Sequence, residues 1–187
     1  MCGRYQFELN QNPEIKRIYD LAATQGEKPA IGEVTPGSNP ATIIIKDQKI
    51  CVVAMKWGFP GFKPTQLVIN ARRESVESKV LFKNPFLKSR CVFPATGFYE
   101  WDQLHQKYLF DYGNEQNLYL AGFYAYFNNV ACSVILTTEP NVSVKAVHER
   151  MPVILTKSQI KPWLTDLNFA RRLITAQMPS LRVEKKS

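Results

Sequence analysis

The chain has 187 residues, 45% hydrophobic and 21% charged, with 24 Lys and Arg against 16 Asp and Glu for a net charge of +8. Such proportions belong to a soluble globular protein and exclude a disordered or fibrous chain. No apolar run approaches the roughly eighteen residues that span a bilayer, and no signal peptide is visible. Four cysteines (Cys2, Cys51, Cys91, Cys132) with two histidines and no C-x-x-C pair argue against a zinc site. The positive balance favours a polyanionic partner, nucleic acid above all, because Lys and Arg contacts to phosphates release counterions.

In chain order, "MCGRYQ" opens the sequence. "NPEIKRIYDLAATQG" follows. It predicts a short amphipathic helix with Asn12 as N-cap, Pro13 at the first helical position, and Ile15, Ile18, Tyr19 and Ala22 on one face. Residues 26–40 concentrate Gly and Pro and read as loop. "ATIIIKDQKICVVAMKW" is a β-hairpin by pattern, turning around Asp47 and Gln48. "NARRESVESK" looks helical. Strands are expected at 91–101, 107–112, 118–127 and 130–138, separated by "DQLHQ", "GNEQN" and "NN". "TKSQIKPWL" and "NFARRLITA" read as short helices, with Pro162 early enough for a first turn, and "RVEKKS" as a solvated basic end. Cys51, Cys91 and Cys132 lie in strand-like runs, where a thiol is a small core hydrophobe. Without repeats or linkers, residues 1–187 are expected to form one α+β domain, a curved, mostly antiparallel β-sheet or open β-barrel flanked by short helices.

Four stretches have a composition unusual for plain structure: "MCGRYQ", "INARRES", "GFYEW" and "HERMP". A cysteine second in the chain would, after loss of Met1, carry a thiol and an α-amine on adjacent carbons, a 1,2-aminothiol that captures aldehydes as no internal residue can. Glu100 stands between Tyr99 and Trp101, where burial would raise its pKa toward the acid/base range; a structural ion pair is the alternative. His148 reads as general acid/base or as a core or capping histidine. Asn70 ends a strand.

Taken in order, "MCGRY", "WG", "NARRES", "CVFPATGFYEW", "LTT" and "HERMPVIL" resemble the SRAP family, DNA-repair proteins that crosslink to abasic sites, over almost the whole chain. The resemblance implies a mixed β-barrel-like fold that binds single-stranded DNA. It also implies self-removal of Met1 and capture of the ring-opened abasic sugar by Cys2 as a thiazolidine. Glu100 would position or deprotonate the amine and assist reversal or Met1 removal. His148 would act as general acid/base, and Asn70 would hold the Cys2 terminus and sugar hydroxyls. Thr137 or Thr138 would add a hydroxyl contact. Arg4, Arg72 and Arg150 would grip phosphates, and Trp57 and Phe59 would stack on bases. The expected protein is a monomer needing no metal or cofactor, cytoplasmic with reduced thiols, and nucleoid-associated if bacterial. Two other readings are an N-terminal-nucleophile cysteine amidohydrolase and a plain single-strand-binding module with an idle Cys2.

Overall fold

A computed structural model describes residues 2–63, 65–113 and 116–186; Met1, whose removal the resemblance implies, lies outside them. β-Branched and aromatic runs fill two main sheets, beside a two-stranded pair of Phe59–Pro60 and Leu67–Val68, because alternate side chains of a strand can pack into a shared interior. The smaller has five strands, in the spatial order Arg182–Lys185, Lys107–Asp111, Gly97–Trp101, Arg4–Phe7 and Gly32–Val34, all antiparallel. The larger is built on Val130–Thr138, Leu118–Phe127, Arg90–Ala95, Ala41–Lys46 and Lys49–Ala54, with short strands added at the Val130–Thr138 side. Neither strand order closes into a barrel among the described residues. Among the described residues five short α-helices flank the sheets, so the architecture is α+β and mostly antiparallel.

The two long hairpins turn where the sequence predicts. Asp47 and Gln48 have φ of 50° and 61°, and Asn128 and Asn129 have 49° and 65°. A two-residue turn with both φ positive matches the right-handed twist of the flanking strands, and Asn tolerates that region better than most residues. The first helix is Pro13–Ala23: the Asn12 side chain accepts a 2.8 Å bond from the Glu14 N–H, and Ile15, Ile18 and Ala22 are buried.

Three expectations are corrected. The run 91–101 is two strands, Arg90–Ala95 in the larger sheet and Gly97–Trp101 in the smaller. The chain crosses between them at Gly97, where a Cβ would stand 2.7 Å from Leu109 Cδ1 and 3.0 Å from the Phe110 carbonyl, leaving room for glycine alone. "NARRESVESK" is not one helix. Asn70–Arg72 is a strand parallel to Val130–Thr138, followed by a 3-10 turn at Arg73–Ser75, and the helix is Val80–Lys88. Pairing with a buried strand here overrides local helix propensity. Lastly, the basic end is not merely solvated. Arg182–Lys185 is the outer strand of the smaller sheet, drawn there by a two-point contact of Arg182 with Asp111 at 2.8 and 2.7 Å.

Between the sheets lies a continuous core. Tyr5, Trp57 and Phe93 pack edge-on or tilted at one end, and Phe59, Phe82, Phe86 and Phe123 at the other. Cys91 and Cys132 are core residues, whereas Cys51, on an outer strand, is half-buried.

Candidate active site

The crossing at Gly97 sets up the site, because it turns the next strand so that Glu100 faces the interior. Register makes this explicit. Arg4 pairs with Tyr99 and Tyr5 with Phe98, so Glu100 shares the inner face with Phe98 and Tyr5 while Arg4, Tyr99 and Trp101 share the outer one. Glu100 is 3% exposed, and its burial pushes the carboxyl up to about 7.

Cys2 precedes the first strand and is wholly buried, its Sγ donating a weak 3.8 Å contact to the Arg4 carbonyl. Burial, with the charge of Glu100 adding to it, pushes the thiol well up. Asn70 reaches it from the strand parallel to Val130–Thr138. The Asn70 Nδ2 donates to the Cys2 carbonyl at 2.8 Å, and its Oδ1 is buried with no hydrogen-bond partner among the described residues. His148 arrives after the short helix Val142–Lys145, with Nε2 3.8 Å from Glu100 Oε2. Its Nδ1 lies 3.0 Å from the Arg150 main-chain nitrogen and 3.2 Å from the Arg150 carbonyl oxygen; accepting from the N–H puts the proton of the neutral ring on Nε2, toward Glu100, and donating to the carbonyl puts it on Nδ1. Burial holds the imidazole below its ordinary range. Cys2, Asn70, Glu100 and His148, spread over 146 positions of the chain, are thus gathered in one place. Burial thus favours the uncharged form of both groups, raising the carboxyl to about 7 and lowering the imidazole, and leaves the two facing each other at 3.8 Å. From His148 a cleft of about 660 Å³ opens to the surface between Asp102, Leu104, Pro140, Lys145 and Glu149.

The basic residues singled out from sequence occupy three different situations. Arg72 is exposed and has no ion pair among the described residues. Arg4 holds Glu33 at 2.6 Å and lies 5.3 Å from the Trp101 ring centre. Arg150 is 7% exposed and spends both terminal nitrogens on Glu74, at 2.8 and 3.0 Å, with a further 2.9 Å bond to the Thr137 carbonyl. Register separates the two threonines: Thr137 pairs with Arg72 and shares a face with Asn70, while Thr138 lies on the other face beside Arg73 and Asn141. Both are buried, and the Thr137 hydroxyl donates to the Ala71 carbonyl.

Trp57 and Phe59 are corrected. Each is 0% exposed; the Trp57 indole N–H donates to the Ile69 carbonyl, and Phe59 packs on Phe82, Phe123 and Phe127. Neither presents a ring face to a base. The exposed aromatic of that stretch is Phe62, beside Val80 and Leu81. Sequence reasoning also missed Glu74 and Glu33, the carboxylates that hold Arg150 and Arg4; Glu74 stands inside the quoted "INARRES", two residues beyond Arg72.

The family profile described as SOS response associated peptidase (SRAP) matches residues 1–184. The chain belongs to the SRAP family. Among curated SRAP relatives, the abasic site processing protein YoqW of Bacillus subtilis is 33% identical over 184 residues, covering 90% of this chain and 82% of that protein. The abasic site processing protein YedK of Escherichia coli is 22% identical, covering 88% and 79%. A crystal structure of a protein from Bordetella bronchiseptica superposes with a TM-score of 0.79 at 23% identity, covering all of both chains. Among the described residues of this SRAP chain no three His, Cys, Asp or Glu side chains gather as a metal site, and no helix is long and apolar enough to cross a membrane.

Proposed function

We propose that this SRAP protein processes abasic sites in single-stranded DNA by bonding to them through Cys2 once Met1 is gone. The reading is carried by the convergence of Glu100 and His148, 3.8 Å apart, with a buried Cys2 whose carbonyl is held by Asn70. It is supported by relatives named for abasic-site processing.

The chemistry follows from which group is nucleophilic first. The thiol, raised by burial, is protonated near neutrality, whereas an α-amine with a pKa of about 7.7 to 8.0 is about 10–20% free base at pH 7. The amine therefore attacks C1′ of the ring-opened sugar, with Glu100 taking its proton. Glu100 passes that proton to the resulting alkoxide, the protonated form of His148 donates a second proton to the hydroxyl so that water leaves, and the last amine proton returns to His148 as the imine forms. The Cys2 S–H then adds across that double bond, sulfur to carbon and proton to nitrogen, closing a five-membered thiazolidine. One water is lost overall and neither metal nor cofactor is required. Asn70 Oδ1 accepts a sugar hydroxyl, and Asn70 Nδ2 keeps the Cys2 backbone in place. Removal of Met1 and reversal of the crosslink use the same Glu100 and His148. Arg72 is the phosphate contact, a role in which Arg150 takes part through a guanidinium shared with Glu74. The protein acts in the cytoplasm as a monomer.

An elevated thiol argues against the amidohydrolase reading, in which a thiolate must form before attack. Intact-mass analysis after mixing with an abasic oligonucleotide is the test. The expected product has lost Met1 and gained the oligonucleotide less one water; equal adduct formation by Cys2→Ala would overturn the assignment.

A further inference from the structure

The mechanism leaves Glu74 unused, although it sits where the two halves of the site meet. Its turn, Arg73–Ser75, directly follows the strand carrying Asn70 and Arg72. Its carboxylate takes both terminal nitrogens of Arg150, whose main chain in turn touches His148.

That main-chain contact is a choice between two states. His148 Nδ1 stands 3.0 Å from the Arg150 nitrogen and 3.2 Å from the Arg150 carbonyl oxygen. With the N–H aimed at it, Nδ1 is an acceptor and the ring proton resides on Nε2, toward Glu100. With the carbonyl aimed at it, Nδ1 must carry the proton and Nε2 becomes a bare acceptor. A modest shift of the residue-150 backbone exchanges the two. Residues 146–150 lie outside helix and strand, between the Val144 carbonyl that takes the Val147 and His148 N–H groups and the pairing of Met151 with Thr138, and the side-chain anchor of Arg150 adds a restraint at residue 150 itself. Two bonds of that anchor go to Glu74 and one to the Thr137 carbonyl.

The geometry points to Glu74 as a positioning residue: by gripping Arg150 it fixes His148 in the Nε2-protonated form that faces Glu100. The inference rests on the reading of His148 as general acid/base, and it adds a second consequence. Glu74 is a partly exposed carboxylate beside Arg72 and Arg150, so its removal takes negative charge away from the face where phosphates bind. Rate and affinity should therefore move in opposite directions.

The chain has two histidines, His105 and His148, so imidazole nitrogen NMR of the labelled protein without DNA resolves both, and His105→Gln assigns them. In the unaltered protein above the titration range of His148, its signals should be those of the Nε2–H tautomer. In Glu74→Ala, and in Glu74→Gln, which keeps the side-chain shape, a tenth or more of the population should move to Nδ1–H. At saturating abasic oligonucleotide the crosslinking rate should fall about tenfold, within the cost of a displaced catalytic group, while the half-saturating concentration stays level or falls. A tautomer unchanged in both variants overturns the inference, as does an unchanged rate at saturation. A shifted tautomer in a protein whose unaltered form makes no crosslink overturns the proposed function and leaves the role of Glu74 toward His148 standing.

Discussion

Replacing Glu100 by Gln tests the energetic side of the site directly. A buried carboxyl raised from 4.5 to about 7 binds its proton more tightly in the folded than in the unfolded chain. At about 1.4 kcal/mol per tenfold in proton affinity, the difference amounts to about 3 kcal/mol. The sign follows from linkage: between 4.5 and 7 the folded state holds the extra proton, so stability from this group is fully present below 4.5 and is lost as pH rises through 7. The amide of the variant has no such proton to lose. The stability of Glu100→Gln relative to the unaltered protein should accordingly increase by about 3 kcal/mol from about pH 4.5 to about pH 8. Urea unfolding of both proteins across that range, compared as a difference so that all other carboxylates cancel, measures it. A difference flat to within about 0.5 kcal/mol would mean that Glu100 titrates as an ordinary carboxylate, and the acid/base role built on its burial would go with it.

Arg72→Ala should weaken binding of undamaged single strands and flatten the logarithmic salt slope by about 0.7, the value of one phosphate contact on a single strand; an unchanged slope removes Arg72 from the interface. Trp57→Ala should cost about 3 to 5 kcal/mol of stability, whereas Phe62→Ala, at an exposed ring, should change the unfolding free energy by less than about 0.5 kcal/mol. The reverse order in thermal melts would contradict their assignment to core and surface. Gly97→Ala places a methyl against Leu109 and the Phe110 carbonyl and should cost about 1 to 3 kcal/mol. Because the strain falls at the crossing that aims Glu100, the crosslinking rate should drop further than the folded fraction does.

The legible parts of the fold were those with a local cause. Asn12 and Pro13 announce a helix start, and the Asp47–Gln48 and Asn128–Asn129 turns stand between alternating apolar runs; each appears where its chemistry requires. What escaped was decided by partners distant in sequence. Asn70–Arg72 looks helical until it is laid against Ile135–Thr137, and Arg182–Lys185 looks like a tail until Asp111 holds it. Residue type pointed to Cys2, Asn70, Glu100 and His148, and the family resemblance supplied their roles. It did not separate Trp57 from Phe62, since aromatic character is common to both and only packing distinguishes them. Nor did it find Glu74, whose importance lies in a contact 76 positions away.

On the proposed mechanism, the gathering of residues 2, 70, 100 and 148 also governs when the aminothiol can work. Cys2 leaves the ribosome before the rest of the site and His148 last, so at about 5 to 20 residues per second roughly 7 to 30 seconds separate them. During that interval the amino-terminal segment lacks the carboxyl that would take its proton, the imidazole that would dehydrate its adduct, and the amide that holds its backbone. Because removal of Met1 draws on the same Glu100 and His148, a nascent chain keeps the Cys2 amine blocked, and the site's chemistry awaits synthesis of most of the protein. Reactivity becomes a late product of translation, although the nucleophile is one of its earliest residues.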